Sequence, residues 1–350
     1  MRKMTTIFVS LLLLAATLGV TAVVWAKKPP QPPPPSGTIY FVYDDGSGST
    51  MWTMNADGSE KTELGVDYCQ DSGYKKFGRV SRLKHGDHYW FVRFCPVDGT
   101  YPDGTPMYEM FAIRDDGTMG VQLTDDPTLT RDAYGRNPVY SIDDTDIAFP
   151  AKRWVEGEEV PVDFGIYSAP IEYDGDGNII GLSGDPARIW DTGYVQNSKG
   201  RYLVNLLTFD WSPDETKIVL GKRDTQLCIA NLGTSSEDCL TNGWNPKWSP
   251  DGTKIAFSWE QDLRTINPDG TDEQIIVEDS SKGGLWKYVH NNGEWSPDSK
   301  YLVYDWFVWH KTGAGEGNYY VYIVEADGDH PRSLTNDLPA GNWKLSHAWR

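Results

Sequence analysis

Three histidines, His290, His310 and His347, stand in the C-terminal part of the chain. Imidazoles from separate segments could hold a divalent metal with open coordination positions. Solvated or core histidines are the alternative reading of the same three residues. His85-Gly86-Asp87-His88 offers a second, two-residue ligand pair. Asp174-Gly175-Asp176-Gly177-Asn178, with Asp185 beyond, spaces side-chain oxygens as a Ca²⁺ loop does. Ile179 stands where such a loop needs Gly, and Asp185 where it usually has Glu, so a Gly-rich hairpin turn explains these residues too. Trp154, Trp190, Trp286, Tyr288, Trp309 and Trp343 are aromatic anchors for a peptide or sugar, unless they pack beneath their own loops. No Gly-x-Ser-x-Gly elbow, phosphate-binding loop or nucleotide fingerprint occurs, and the acids are dispersed through turns. No catalytic residue and no cofactor is therefore singled out, apart from the divalent metal.

The elements that must position these residues are read from a repeat. Trp211-Ser212-Pro213-Asp214 recurs as Trp248-Ser249-Pro250-Asp251 and Trp295-Ser296-Pro297-Asp298, and weakly as Tyr140-Ser141-Ile142-Asp143. Each copy leads into an apolar β-rich run, such as Ile218-Val219-Leu220 or Ile255-Ala256-Phe257. A second hairpin follows each, turning at Asp57-Gly58, Asp116-Gly117, Asp269-Gly270 or Asp327-Gly328. A period of roughly 40–50 residues built from short strands and turns predicts a β-propeller. The expected fold is all-β: six blades of four antiparallel strands. Units two to six fall at 77–124, 137–183, 207–241, 245–277 and 292–335. Blade one is shared: Gly37-Thr38-Ile39-Tyr40-Phe41 matches a second strand, and Ser346-His347-Ala348-Trp349-Arg350 matches a first strand. The Ser-Pro-Asp and Asp-Gly turns share one face. The longer connections, 95–106, 151–162, 185–206, 278–291, 309–318 and 336–345, share the other, where binding is expected.

Ahead of the propeller (38–350), residues 1–26 carry Arg2 and Lys3 before an apolar stretch and read as a signal peptide or, uncleaved, a membrane anchor. Residues 27–37 are a Pro-rich, extended spacer. Loss of residues 1–26 takes the net charge from −18 to −20, which argues against nucleic acid and anionic membrane as partners. The four cysteines suggest disulfides in an exported protein. Cys228 and Cys239 flank one hairpin, which leaves Cys69 and Cys95 as the other pair; sequence leaves the two alternative pairings open.

The pattern Trp-Ser-Pro-Asp-Gly-x-Lys-Ile-Ala-Phe, with x-x-Asp-Gly and a closing Leu-Thr, resembles the TolB-type six-bladed propeller over residues 38–350. The resemblance implies a periplasmic or secreted scaffold that binds other proteins or peptides near its central channel. Related propellers occur in prolyl-oligopeptidase-type peptidases and oligogalacturonate lyases. The α/β domain that precedes the TolB propeller is not expected here, because the spacer runs straight into the first strand. The favoured expectation is a monomeric, non-catalytic propeller that binds an envelope protein or peptide through Trp190, Trp286, Tyr288, Trp309 and Trp343. The alternative is a metal-dependent, polysaccharide lyase-like enzyme using His290, His310 and His347.

Overall fold

The computed structural model describes residues 35–44, 49–64, 81–85, 88–100, 106–114, 120–126, 128–131, 138–141, 144–156, 158, 160–279, 285–310, 317–338 and 343–349. These belong to one compact unit, 35–350, and contain no helix. Residues 1–34, with the expected signal and most of the spacer, lie outside the described residues.

The strands run in chain order around a ring. The first blade begins with β1 (Thr38–Asp44), β2 (Ser49–Asn55) and β3 (Thr62–Glu63). The second is β4 (Ser81–His85), β5 (His88–Thr100), β6 (Pro106–Arg114) and β7 (Gly120–Gln122). The third is β8 (Leu129–Arg131), β9 (Val139–Tyr140), β10 (Asp146–Arg153), β11 (Asp163–Tyr173), β12 (Ile179–Leu182) and β13 (Ala187–Asp191). A small hairpin follows, β14 (Tyr194–Gln196) and β15 (Tyr202–Val204). The fourth blade is β16 (Thr208–Trp211), β17 (Lys217–Gly221), β18 (Gln226–Asn231) and β19 (Ser236–Asn242). The fifth is β20 (Trp244–Trp248), β21 (Ile255–Trp259), β22 (Asp262–Ile266) and β23 (Gln274–Val277). The sixth is β24 (Leu285–Trp295), β25 (Tyr301–His310), β26 (Gly317–Glu325) and β27 (Arg332–Ser333). Finally β28 (Trp343–Trp349) returns to pair antiparallel with β1, Trp349 opposite Ile39, and completes blade one in the order β28-β1-β2-β3.

The first strands β28, β4, β9, β16, β20 and β24 touch in succession and close a ring. Blade three keeps four lanes although it has six strands. β8 and β9 pair with opposite ends of the long β10, and β12 and β13 with opposite ends of β11.

Among the described residues, apolar alternation along these strands supplies a core cluster between five of the six neighbouring pairs of blades. Trp211 packs between blades three and four, Trp248 between four and five, Trp295 between five and six, and Trp349 between six and one. All four are buried, and Tyr140 takes the same place between blades two and three. Trp295 Nε1 also donates to the carbonyl of Lys247 in the preceding blade, at 3.1 Å. Tyr40 and Phe91 meet across blades one and two, ring centroids 5.7 Å apart.

The repeated Ser and Asp build the turn after each Trp. Ser249 Oγ donates to Asp251 Oδ1 at 2.7 Å and accepts from Lys254 N at 2.9 Å, while Asp251 accepts from Thr253 N at 3.0 Å. Ser212 and Ser296 repeat this pattern, and Ser141 accepts from Asp146 N at 2.9 Å. The turn needs one residue at positive φ, which is Gly252 in one copy and Glu215, Ser299 or Asp144 in the others. The Cys228–Cys239 disulfide is present and joins directly paired positions of β18 and β19. Cys95 is also disulfide-bonded, whereas Cys69 lies outside the described residues.

Candidate functional site

Among the described residues, long departures from the repeat gather at the variable face of blade three. β10 and β11 form an extended hairpin closed at Arg153 opposite Asp163, with its tip at 154–162. Gly165 lets a neighbouring strand come close: a Cβ there would stand 2.2 Å from the Trp190 carbonyl oxygen. β13 uses this approach, with a register shift between Ile166 and Tyr167. The chain then enters β14 and β15, turned by Asn197, whose side-chain oxygen accepts from Lys199 N and Arg201 N.

This small hairpin is fastened to two blades. Buried Lys152 of β10 donates to the Tyr202 carbonyl at 3.2 Å, and Arg223 of blade four donates to the Val204 carbonyl at 3.0 Å. Val204 and Leu206 are fully buried in the core between blades three and four. The result is an aromatic triad: Phe164 to Tyr194 at 5.0 Å, Tyr194 to Tyr202 at 5.1 Å and Phe164 to Tyr202 at 6.4 Å.

Of the six large apolar side chains exposed among the described residues, four stand here: Val155, Val160 and Val162 at the β10–β11 tip, and Tyr194 at 55% exposure on β14. That concentration marks the surface as one suited to contact, since single scattered apolar residues are the norm elsewhere. Beside the apolar residues, Asp163, Tyr167, Arg188 and Asp191 are paired with one another. Asp163 accepts from the Tyr167 hydroxyl at 2.8 Å and from Arg188, which also reaches Asp191 at 3.1 Å. Burial, helped by Asp163, pushes the Tyr167 hydroxyl up to about 12, so it stays protonated and holds this hydrogen bond.

A second polar feature runs between the first strands. Asp210, Lys247 and Glu294 each immediately precede a repeated Trp. Lys247 Nζ lies 2.9 Å from Glu294 and 3.6 Å from Asp210, whose other oxygen accepts from Trp248 N at 2.9 Å. Burial raises the Asp210 carboxyl to about 6 despite Lys247, with Glu294 adding to the rise. This chain of charges joins blades four, five and six along the inner wall of the ring.

The residues singled out by sequence fall differently. Trp190, expected as a binding anchor, lies on β13, half-buried against the core between blades three and four. Trp154 is buried beneath its loop with the Lys152 ammonium over its ring at 5.5 Å. The expected Ca²⁺ loop is the blade-three copy of the Asp-Gly turn. Asp174 N donates to the Asn178 carbonyl and Gly177 N to that of Asp174, as Asn267 and Gly270 do in blade five. The Asp174 carboxylate accepts from Asp176 N, Asn178 N and Asn178 Nδ2, and the amide of Asn178 is turned to Arg114. Hydrogen bonds from Asn178 hold Asp174 below the usual carboxylate range. Asp185 does not join Asp174 and Asp176, because the three carboxylates do not converge within 4.8 Å of one another. Among the described residues such a group forms only from Cys228, Glu237 and Cys239, where the disulfide occupies both sulfurs.

The side chains of Trp286, Tyr288, Trp309, Trp343, His290, His310 and His347, and those of His85 and His88, lie outside the described residues. Their backbone places Trp286 opposite Trp309 and Leu285 opposite His310 on β24 and β25. Those strands therefore continue into stretches expected as loops. The site residues that sequence reasoning missed are Tyr194 and Tyr202. Alternation of apolar and polar residues is the signal for strands, and three-residue strands are too short to show it.

No protein-family model and no curated protein matches the chain. Among solved structures it is similar to a protein assigned as TolB from Agrobacterium tumefaciens, at 14% identity and TM-score 0.43, covering 90% of this chain and 98% of that one. It is similar to an oligogalacturonate lyase in complex with manganese, at 15% identity and TM-score 0.42, covering 85% and 74%. A GH74 enzyme from Niastella koreensis is also similar, at 11% identity and TM-score 0.49, covering 85% of this chain and 45% of that one.

Proposed function

We propose that the protein is an exported propeller scaffold that binds a protein or peptide partner at the face carrying its variable connections, without catalysing a reaction. The observation that supports this reading is the exposed apolar group Val155, Val160, Val162 and Tyr194, set on a hairpin pair fastened to two blades. A rigid scaffold with an apolar, aromatic tip limits the ordering cost of association. In this reading residues 1–26 direct export and 27–37 tether the propeller. The disulfides fit an oxidising compartment such as the periplasm or the extracellular space.

The test is photo-crosslinking in the native host. A photoreactive amino acid at Tyr194 is compared with one at Lys300, an exposed site on a Ser-Pro-Asp turn of the other face. A discrete protein adduct at position 194 and none at 300 is expected. Equal adducts at both positions would remove the reason to assign binding to the variable face. Cleavage of a polysaccharide by the purified chain, abolished by chelation, would replace the scaffold with the metal-dependent enzyme.

A further inference from the structure

We propose that the partner presents a cationic apolar segment, Lys or Arg interleaved with aliphatic or aromatic residues, to the β10–β11 tip and β14. This inference rests on the scaffold reading and names the chemistry of its partner. Among the described residues the tip carries two exposed carboxylates, Glu156 and Glu158, on the same turn as Val155, whose carbonyl accepts from Glu158 N. Neither carboxylate meets a cation among the described residues. The nearby acids differ: Asp163 and Asp191 share Arg188, and Asp126 faces Arg153 at 3.5 Å. The nearby cations are committed as well, since Lys152 is buried on the Tyr202 carbonyl and the Trp154 ring, and Arg153 lies over Tyr167 at 5.5 Å. What remains open to a partner is therefore apolar, aromatic and negative.

Charge decides between occupants. A second copy of this chain, at −18, would set Glu156 and Glu158 against their own counterparts across a two-fold contact. A neutral glycan could stack on Tyr194 and donate hydroxyls to the carboxylates, but it would offer no cation to them and no aliphatic side chain to the three valines. A basic apolar segment uses each of these exposed groups: its aliphatic side chains cover the valines, and its cations meet the glutamates and the face of Tyr194.

Three fluorescent probes test this by anisotropy with the purified chain at low and moderate salt. They are a decapeptide alternating Lys with Leu, one alternating Glu with Leu, and a neutral glucan hexasaccharide. The Lys/Leu peptide should bind at least about tenfold tighter than the Glu/Leu peptide. The double substitution Glu156→Gln with Glu158→Gln should weaken it about fivefold or more, and Tyr194→Ala by a similar factor. The double substitution Asp238→Asn with Asp329→Asn changes net charge equally at exposed sites elsewhere and should stay within about twofold. Equal losses from both double substitutions would show diffuse attraction to an acidic protein and overturn the inference. So would glucan binding that Tyr194→Ala abolishes while the peptides are unaffected. A partner crosslinked at Tyr194 through an acidic segment would overturn the cationic assignment and leave the scaffold standing. Absence of any adduct there would remove both.

Discussion

The two faces of this propeller use the same residue types in opposite ways. On the face of the Ser-Pro-Asp and Asp-Gly turns, acids serve the backbone. Asp57 and Asp269 accept from Ser59 and Thr271, and Asp214 from Ser212 and Thr216. Those hydrogen bonds, from the neighbouring hydroxyl first, hold each of these acids below its ordinary range. On the other face of blade three, Glu156 and Glu158 are exposed beside Val155, Val160 and Val162. The first face is closed on itself by local chemistry, and the second presents groups that nothing in the described structure uses. The same division holds for aromatics. The repeated Trp residues are buried between blades, whereas Tyr194 is more than half exposed.

Truncating one aromatic of each kind tests this division most strongly. Trp248→Ala empties a space between blades four and five and should cost about 3–5 kcal/mol. Tyr194→Ala should cost about 1 kcal/mol or less, since it loses ring contacts with Phe164 and Tyr202 and little burial. Urea unfolding measures both. Comparable losses would mean that Tyr194 is a core residue with an exposed edge, and the apolar tip would lose its claim as a contact surface.

Much of the first face is legible in the amino-acid sequence, because the repeat encodes it locally. Trp-Ser-Pro-Asp carries a core residue, a hydroxyl acceptor, a turn former and a turn acceptor in four consecutive positions. Ring closure is legible for a related reason, since the segments around Ile39 and Trp349 each match one strand of the repeat. Blade three is less legible because its special parts depend on distant residues. β13 needs Gly165, and the β14–β15 hairpin needs Lys152 and Arg223. The stretch 185–206 therefore reads as a loop although it holds three strands. Asp174-Gly175-Asp176-Gly177-Asn178 is ambiguous on different grounds. An Asx-type turn and a Ca²⁺ loop both want oxygens at alternate positions, and only the placement of Asp185 tells them apart.

Asp210 is an acid of a third kind, on neither face and half-buried in the wall of the ring. Burial places its folded-state carboxyl near 6, above the ordinary 3.8 of an unfolded chain, so the folded state binds the proton more tightly. Stability from this group is therefore unaffected below about pH 4, falls as pH rises from about 4 to 6, and stays reduced above that. Asp210→Asn keeps an oxygen acceptor for Trp248 N, and Lys247 retains Glu294. It should stabilise the chain near neutral pH by on the order of 2–3 kcal/mol and leave stability near pH 4 unchanged. Unfolding midpoints across that pH range decide it. Loss of stability at neutral pH would show that the Asp210–Lys247 attraction outweighs burial, and the wall would then behave like the turn face, where charge is compensated.

The smallest effect tests whether that turn face depends on its hydroxyls. Ser249 is almost fully buried, and its Oγ both donates to Asp251 and accepts from Lys254 N. Ser249→Ala leaves the Lys254 N–H without this acceptor and should cost about 1 kcal/mol. Val162→Thr on the opposite face exchanges a methyl for a hydroxyl at 53% exposure and should change stability by less than about 0.5 kcal/mol. The two substitutions alter a similar number of atoms, so their difference isolates whether the polar group is enclosed. If Ser249→Ala were as neutral as Val162→Thr, water would be replacing the hydroxyl in the turn. Burial opposes the low position of Asp251, and hydrogen bonds from Ser249 and Thr253 outweigh it; Thr253 and the backbone would then carry that position without the serine. A shift of the Asp251 carboxyl toward its ordinary value in Ser249→Ala, followed by NMR titration, would assign the effect to the serine even where the stability change is small.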